Sequence, residues 1–173
     1  PMCCDLVAAI DLDRFAAAVK SAFETHEALG VKIGKTPDGL PCMIPEDFTA
    51  EPERAAAESL EEAASAFMRP FDLEHDRLFR TELVTVHEKR FFLFDVHHLV
   101  FDGSSIKALV NDIAAAYNGE ELQHEALSLF DVSIWEKTLK ESERYKAAQE
   151  YFGKLLDGVD ADSRPVSDVT DPA

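Results

Sequence analysis

The sequence predicts an α/β fold, on three observations. The apolar run Phe91-Phe92-Leu93-Phe94 inside Arg90 to His97 is a strand buried on both faces, and Phe79 to Val86 precedes it as a partner strand across the polar turn His87-Glu88-Lys89. Behind them, Ile106, Leu109, Val110, Ile113, Ala114 and Tyr117 make one helical stripe that stops at Asn118-Gly119, as a left-handed cap requires. Near the front, Leu12, Phe15, Val19, Ala22, Phe23 and His26 recur at helical spacing behind Asp11 and Asp13, either of which can cap the start.

A short strand is expected over Asp5 to Ile10, ahead of the helix Leu12 to Ala28. Val31-Lys32-Ile33 and Cys42-Met43-Ile44 flank Thr36-Pro37-Asp38-Gly39, where proline presets one turn dihedral and glycine accepts a positive φ, so a hairpin is predicted. Ala55 to Met68 is rich in Ala, Glu and Leu with no interior breaker and reads as a second helix ending before Pro70. From Asp131 to Leu156 the pattern is again helical, as two helices broken near Glu141-Ser142.

Composition bounds the function. The chain has 173 residues, 46% of them hydrophobic and 29% charged, which suits one soluble globular domain. A formal charge of −17 argues against nucleic acid and against an anionic membrane surface. Three cysteines, two adjacent at Cys3 and Cys4, form no disulfide framework and no Cys-x-x-Cys pair, which suits a reducing cytoplasm. The run from Asp160 to Asp168, rich in Asp and Ser, reads as a linker.

The chemistry concentrates in His97-His98-Leu99-Val100-Phe101-Asp102-Gly103. Consecutive strand residues point to opposite faces, so the two histidines cannot both serve one site if the strand stays regular. His98 falls where strand gives way to loop, a place from which an imidazole can take a proton from an attacking amine or alcohol. Asp102 stands just ahead of a helix, and Gly103 lets a substrate approach the backbone. The same residues also suit a purely structural reading, with His98 a satisfied core histidine, Asp102 a helix N-cap and Gly103 a turn glycine. A zinc site is disfavoured, since the histidine pair lacks same-face ligand spacing and no cysteine is near it in sequence.

These residues carry a family resemblance. The segment His97 to Gly103 resembles the His-His-x-x-x-Asp-Gly signature of the condensation domains of nonribosomal peptide synthetases, members of the chloramphenicol acetyltransferase-like acyltransferases. Pro70-Phe71-Asp72-Leu73 with Leu78-Phe79-Arg80 resembles the segment upstream of it, Leu127 to Trp135 the Asp-x-x-x-Trp stretch downstream, and Tyr151 to Leu156 the family's Tyr-Trp-x-x-x-Leu.

The resemblance implies a two-layer sandwich with a mixed sheet and helices mainly on one face. It implies amide formation between acyl and aminoacyl thioesters on the phosphopantetheine arms of carrier domains, with no directly bound cofactor and no metal. His98 would be the general base or orient the amine, and Gly103 would stabilise the oxyanion. His97 and Asp102 would support the site, Asp102 through an ion pair. The family's arginines beside its His-Glu-x-Leu segment are replaced here by Thr25 and Gly30; either Arg80 takes their place as partner of Asp102 or it only fills its own family position.

Condensation domains are about twice this long and built from two lobes. The expectation is therefore an N-terminal lobe over residues 1–158 and a linker over 159–173, leading to a C-terminal lobe and adenylation modules, the isolated lobe being inactive. An ester-forming acyltransferase using coenzyme A thioesters and a catalytically degenerate scaffolding module are the competing readings. A glycerolipid acyltransferase, whose His-x4-Asp motif His97 and Asp102 also satisfy, is more distant still.

Overall fold

Phe92 and Phe94 point to one face of a sheet and Phe91 and Leu93 to the other, and helices cover both sets. This is seen in a computed structural model that describes residues 1–159; the predicted linker from residue 160 onward lies outside the described residues. The described residues form two compact units, divided after Leu129.

In the first unit the main sheet holds β1 (Met2–Leu6), β4 (Glu53–Ala57), β5 (Phe79–Val86) and β6 (Lys89–Val96) in the order β1-β6-β5-β4. β1 and β5 flank β6 antiparallel, whereas β4 lies parallel to β5, so the sheet is mixed and β6 is central as predicted. β2 (Val31–Lys35) and β3 (Pro41–Pro45) form the expected hairpin, with Gly39 at φ 83° in its turn.

The larger core lies between the sheet and two helices, α1 (Leu12–Thr25) and α3 (Gly103–Asn118). α1 supplies Phe15, Val19, Ala22 and Phe23, and α3 supplies Leu109 and Ile113, against Phe79, Leu83, Phe92 and Phe94. Phe92 meets Phe15 edge-on at 5.4 Å and stacks on Phe94 at 5.3 Å. The short α2 (Leu60–Phe67) covers the opposite face through Ala63 and Phe67, packed on Val84, Phe91 and Leu93. Helices thus lie mainly, not wholly, on one face.

Two elements differ in kind or place from the sequence reading, and α1, predicted to reach Ala28, ends at Thr25. The helix predicted over Ala55 to Met68 is an edge strand followed by a shorter helix. Ser59 divides them by accepting the Glu62 N–H at 3.1 Å, while Glu62 reaches back to the Glu58 N–H at 3.0 Å. The strand expected over Asp5 to Ile10 lies instead at Met2–Leu6, because the chain turns through Val7 to Ile10 to enter α1, whose cap is Asp11.

The second unit, from Phe130, holds α4 (Leu129–Glu141) apart from its first residue and α5 (Glu143–Leu155), broken at Ser142 as expected. The Ser142 hydroxyl caps α5 through the Tyr145 N–H at 3.2 Å. None of their residues is buried, and Ile134, Trp135, Phe152 and Leu155 are each more than half exposed. No helix of the described residues is long and apolar enough to cross a membrane.

Candidate active site

Strand pairing ends at Phe79 opposite Val96, and the turn beyond Val96 shapes the site. The His97 N–H still donates to the Leu78 carbonyl at 2.8 Å, after which the chain turns, with the Val100 N–H returning to the His97 carbonyl at 3.1 Å. His97 closes this turn with its side chain, since Nδ1 accepts the Leu99 N–H at 3.1 Å. Its ring is half-buried and meets Phe71 edge-on at 5.7 Å.

His98 differs in every respect. It sits at the outer part of the turn with an exposed side chain, and among the described residues no group hydrogen-bonds its imidazole. The histidines therefore separate into one fixed by neighbours and one presented to solvent. The fully structural reading of His98 as a buried, satisfied core residue does not describe this arrangement.

Asp102 caps α3 with a single oxygen. Oδ1 accepts the backbone N–H groups of Ser104 and Ser105 at 3.0 and 2.9 Å, and their hydroxyls at 2.7 and 2.8 Å. The Ser105 hydroxyl also accepts the Asp102 N–H at 3.3 Å, completing a reciprocal capping box. The Ser104 hydroxyl first, then the Ser105 amide and hydroxyl, hold the Asp102 carboxyl down at about 2.

Gly103 opens α3, and a Cβ built on it meets nothing within 4 Å, so the backbone is open to approach there. Ser104 and Ser105 are committed to Asp102, whereas among the described residues the Gly103 N–H has no partner. An unengaged amide at a helix start is suited to an oxyanion.

Arg80 does not pair with Asp102. Its guanidinium, with only 10% of the side chain exposed, donates to the Arg69 carbonyl at 2.6 Å and to the Pro70 carbonyl at 3.3 Å, and Asp76 stands 4.0 Å away. Burial, and next the like charge of Arg69, push the guanidinium below its ordinary value, against the opposing pull of Asp95 and Asp76. Arg80 thereby clamps the segment just before Phe71.

The positions where the family carries arginine are filled differently here. Thr25 is buried with its hydroxyl on the Ser21 carbonyl at 2.8 Å. At Gly30 an added Cβ lies 2.7 Å from the Phe48 ring. Between them, His26 bridges Asp112 of α3 at 2.9 Å and Glu125 at 2.7 Å, and the Glu27 carboxylate accepts the Leu129 N–H at 3.0 Å. Sequence reasoning gave no role to Ser104, Ser105 or Phe71, although a serine pair directly behind Asp102 is a capping signal in its own right.

Among the described residues no group of three or more His, Cys, Asp or Glu side chains is placed to hold a metal ion.

Comparison with known proteins matches this geometry to a family. The model of the condensation domain covers residues 1–168. Bacitracin synthase 3 of Bacillus licheniformis is 35% identical over 152 residues, which is 86% of this chain and 2% of that protein. Among solved structures, the X-domain from teicoplanin biosynthesis aligns with a TM-score of 0.77 at 24% identity, over 95% of this chain and 40% of its own. The epimerization domain from the third module of tyrocidine synthetase B aligns at 0.76 and 21%, over 97% and 42%.

These structures share the chloramphenicol acetyltransferase-like fold, and this chain spans about two fifths of their length. With a central strand carrying the histidine turn into a capped helix, and a family match over nearly all of its length, the chain belongs to the condensation-domain family.

Proposed function

We propose that residues 1–158 form the first of two lobes of a domain that joins an acyl group to an amine, with His98 as the proton acceptor. The carrying observation is the exposed, unengaged His98 imidazole on a turn whose other histidine is tied down. The amine nitrogen of an aminoacyl thioester attacks the carbonyl of an acyl thioester. The amine's proton passes to His98, the C–S bond breaks, and the proton then goes to the departing thiolate, leaving an amide. The Gly103 N–H meets the developing oxyanion, while Asp102, His97 and Arg80 hold the turn.

Both thioesters ride on phosphopantetheine arms of carrier domains, so the partners are those domains, the second lobe and neighbouring adenylation modules. The chain's coverage of about two fifths of its solved relatives supports the two-lobed reading. A cytoplasmic setting belongs to the same reading, in keeping with free thiols at Cys3, Cys4 and Cys42.

The test supplies carrier-bound acyl and aminoacyl groups to the chain alone and to a protein carrying both lobes. Amide product from the two-lobed protein only, lost in His98→Ala, is the expected result. Undiminished product in His98→Ala removes His98 from the reaction, and product from the chain alone removes the need for a second lobe. Ester formation from coenzyme A thioesters and alcohols in place of amide would transfer the site to a different acceptor.

A further inference from the structure

Phe71 lies in no strand or helix, yet its ring stands between two side chains of the candidate site. On one side the Arg80 guanidinium carbon is 3.8 Å from the ring centroid. On the other, the His97 imidazole meets the ring perpendicularly, 5.7 Å away with an interplanar angle of 90°. Arg80 also donates to the carbonyls of Arg69 and Pro70, immediately before Phe71, so one side chain holds both the ring and the backbone leading to it. A largely desolvated cation gains more from a ring face than an exposed one does.

The orientation of the His97 ring matters to the turn. Nδ1 accepts the Leu99 N–H, so the neutral ring carries its hydrogen on Nε2. Rotation about the last side-chain torsion of histidine is broad and roughly two-fold, so a free ring would exchange Nδ1 for a C–H at the Leu99 amide.

We propose that Phe71 is a positioning residue for the turn His97 to Gly103. Wedged against Arg80, it keeps the His97 ring in the one rotation that closes the turn beneath His98. The catalytic half of this inference rests on His98 being the proton acceptor. The structural half, that Phe71 sets the His97 ring and the Leu99 amide, stands independently of any reaction.

The test follows His97 by long-range 1H–15N correlation spectra and Leu99 by amide exchange in the 173-residue chain. Native protein and Phe71→Tyr should show a single Nε2–H tautomer and a protected Leu99 amide. Phe71→Leu, which keeps apolar bulk but loses the ring, should give mixed tautomers and roughly 10-fold faster exchange at Leu99. A Phe71→Leu spectrum and exchange rate identical to native would overturn the proposal.

Arg80→Lys, which keeps the charge but loses the planar fork, is expected to shift His97 in the same direction and covers the case in which Phe71→Leu does not fold. An unchanged His97 spectrum in Arg80→Lys would count equally against the wedge. In a two-lobed protein, Phe71→Leu should lower kcat by up to about 100-fold with KM unchanged. An unaltered kcat there, alongside an altered His97, overturns the catalytic half. A native two-lobed protein without amide-forming activity overturns the proposed reaction and leaves the His97 result standing.

Discussion

Ser104 donates its hydroxyl to Asp102 Oδ1 at 2.7 Å, on the same oxygen that receives the Ser105 hydroxyl and both backbone amides. The charge of the motif aspartate is thereby satisfied inside its own helix turn. Positions 25 and 30 hold Thr and Gly, and all four donors to Asp102 Oδ1 come from Ser104 and Ser105.

Acid should expose this arrangement. The carboxyl is held at about 2, below the ~3.9 of an unfolded aspartate, so its contribution is complete above the unfolded value and is lost as pH falls toward about 2. Asp102→Asn retains a capping oxygen but does not titrate, and should abolish the acid sensitivity of the α3 start. Amide exchange at Ser104 and Ser105 across a pH series reads this out, and identical profiles for native and Asn forms would refute it.

Replacing the two histidines should have unequal costs. His98→Ala, at an exposed unpartnered position, should alter folding stability by less than about 0.5 kcal/mol. His97→Ala strips the Leu99 N–H of its acceptor and Phe71 of its perpendicular neighbour, and should cost about 1–3 kcal/mol. Urea unfolding separates the pair, and equal midpoints would contradict such a division of roles.

Phe92 is almost wholly buried, edge-on to Phe15 and stacked on Phe94, so Phe92→Ala should cost about 3–5 kcal/mol by thermal or urea unfolding. Trp135→Ala, on a helix with no buried residue, should leave the first unit's unfolding within about 0.5 kcal/mol of native. A small loss at Phe92 would mean that the core tolerates collapse around the missing ring.

At position 30 even one methyl group crowds the Phe48 ring. Gly30→Ala brings a Cβ to 2.7 Å from Phe48, and should destabilise by about 1–3 kcal/mol. Adding Phe48→Leu should recover part of that loss, so a double-mutant cycle should show coupling between the sites. Simple additivity of the two changes would argue against the clash.

Phe91 to Phe94 identified a strand buried on both faces, Gly119 the end of α3 and Ser142 the break between the last two helices, because each signal is local. Glu53 to Ala57 was not legible as a strand. Its alanines favour helix, and only pairing with Leu83 and Val84 of β5, distant in sequence, makes it extended. The Ser59 and Glu62 pair was nevertheless in plain view as a helix start.

In the site, alternation pointed to different surroundings for His97 and His98, but β6 ends at Val96 and the turn beyond it sets the two apart. The neighbours that tie His97 down, Phe71 and the Leu99 amide, depend on a turn and a long-range contact that no spacing encodes. Arg80, one candidate partner for Asp102 once Thr25 and Gly30 stood in place of the family's arginines, donates instead to the carbonyls of Arg69 and Pro70, a pairing no local pattern encodes.

The Phe48 ring also constrains how this chain can change. An arginine entering at position 30 brings the same Cβ to 2.7 Å from Phe48, so the Phe48 ring must move to admit it. Movement of the Phe48 ring disturbs its edge-on contact with Phe79 at 5.5 Å. A charge at position 30 is therefore coupled to the conformation of Phe48 and, through it, to the packing of Phe79.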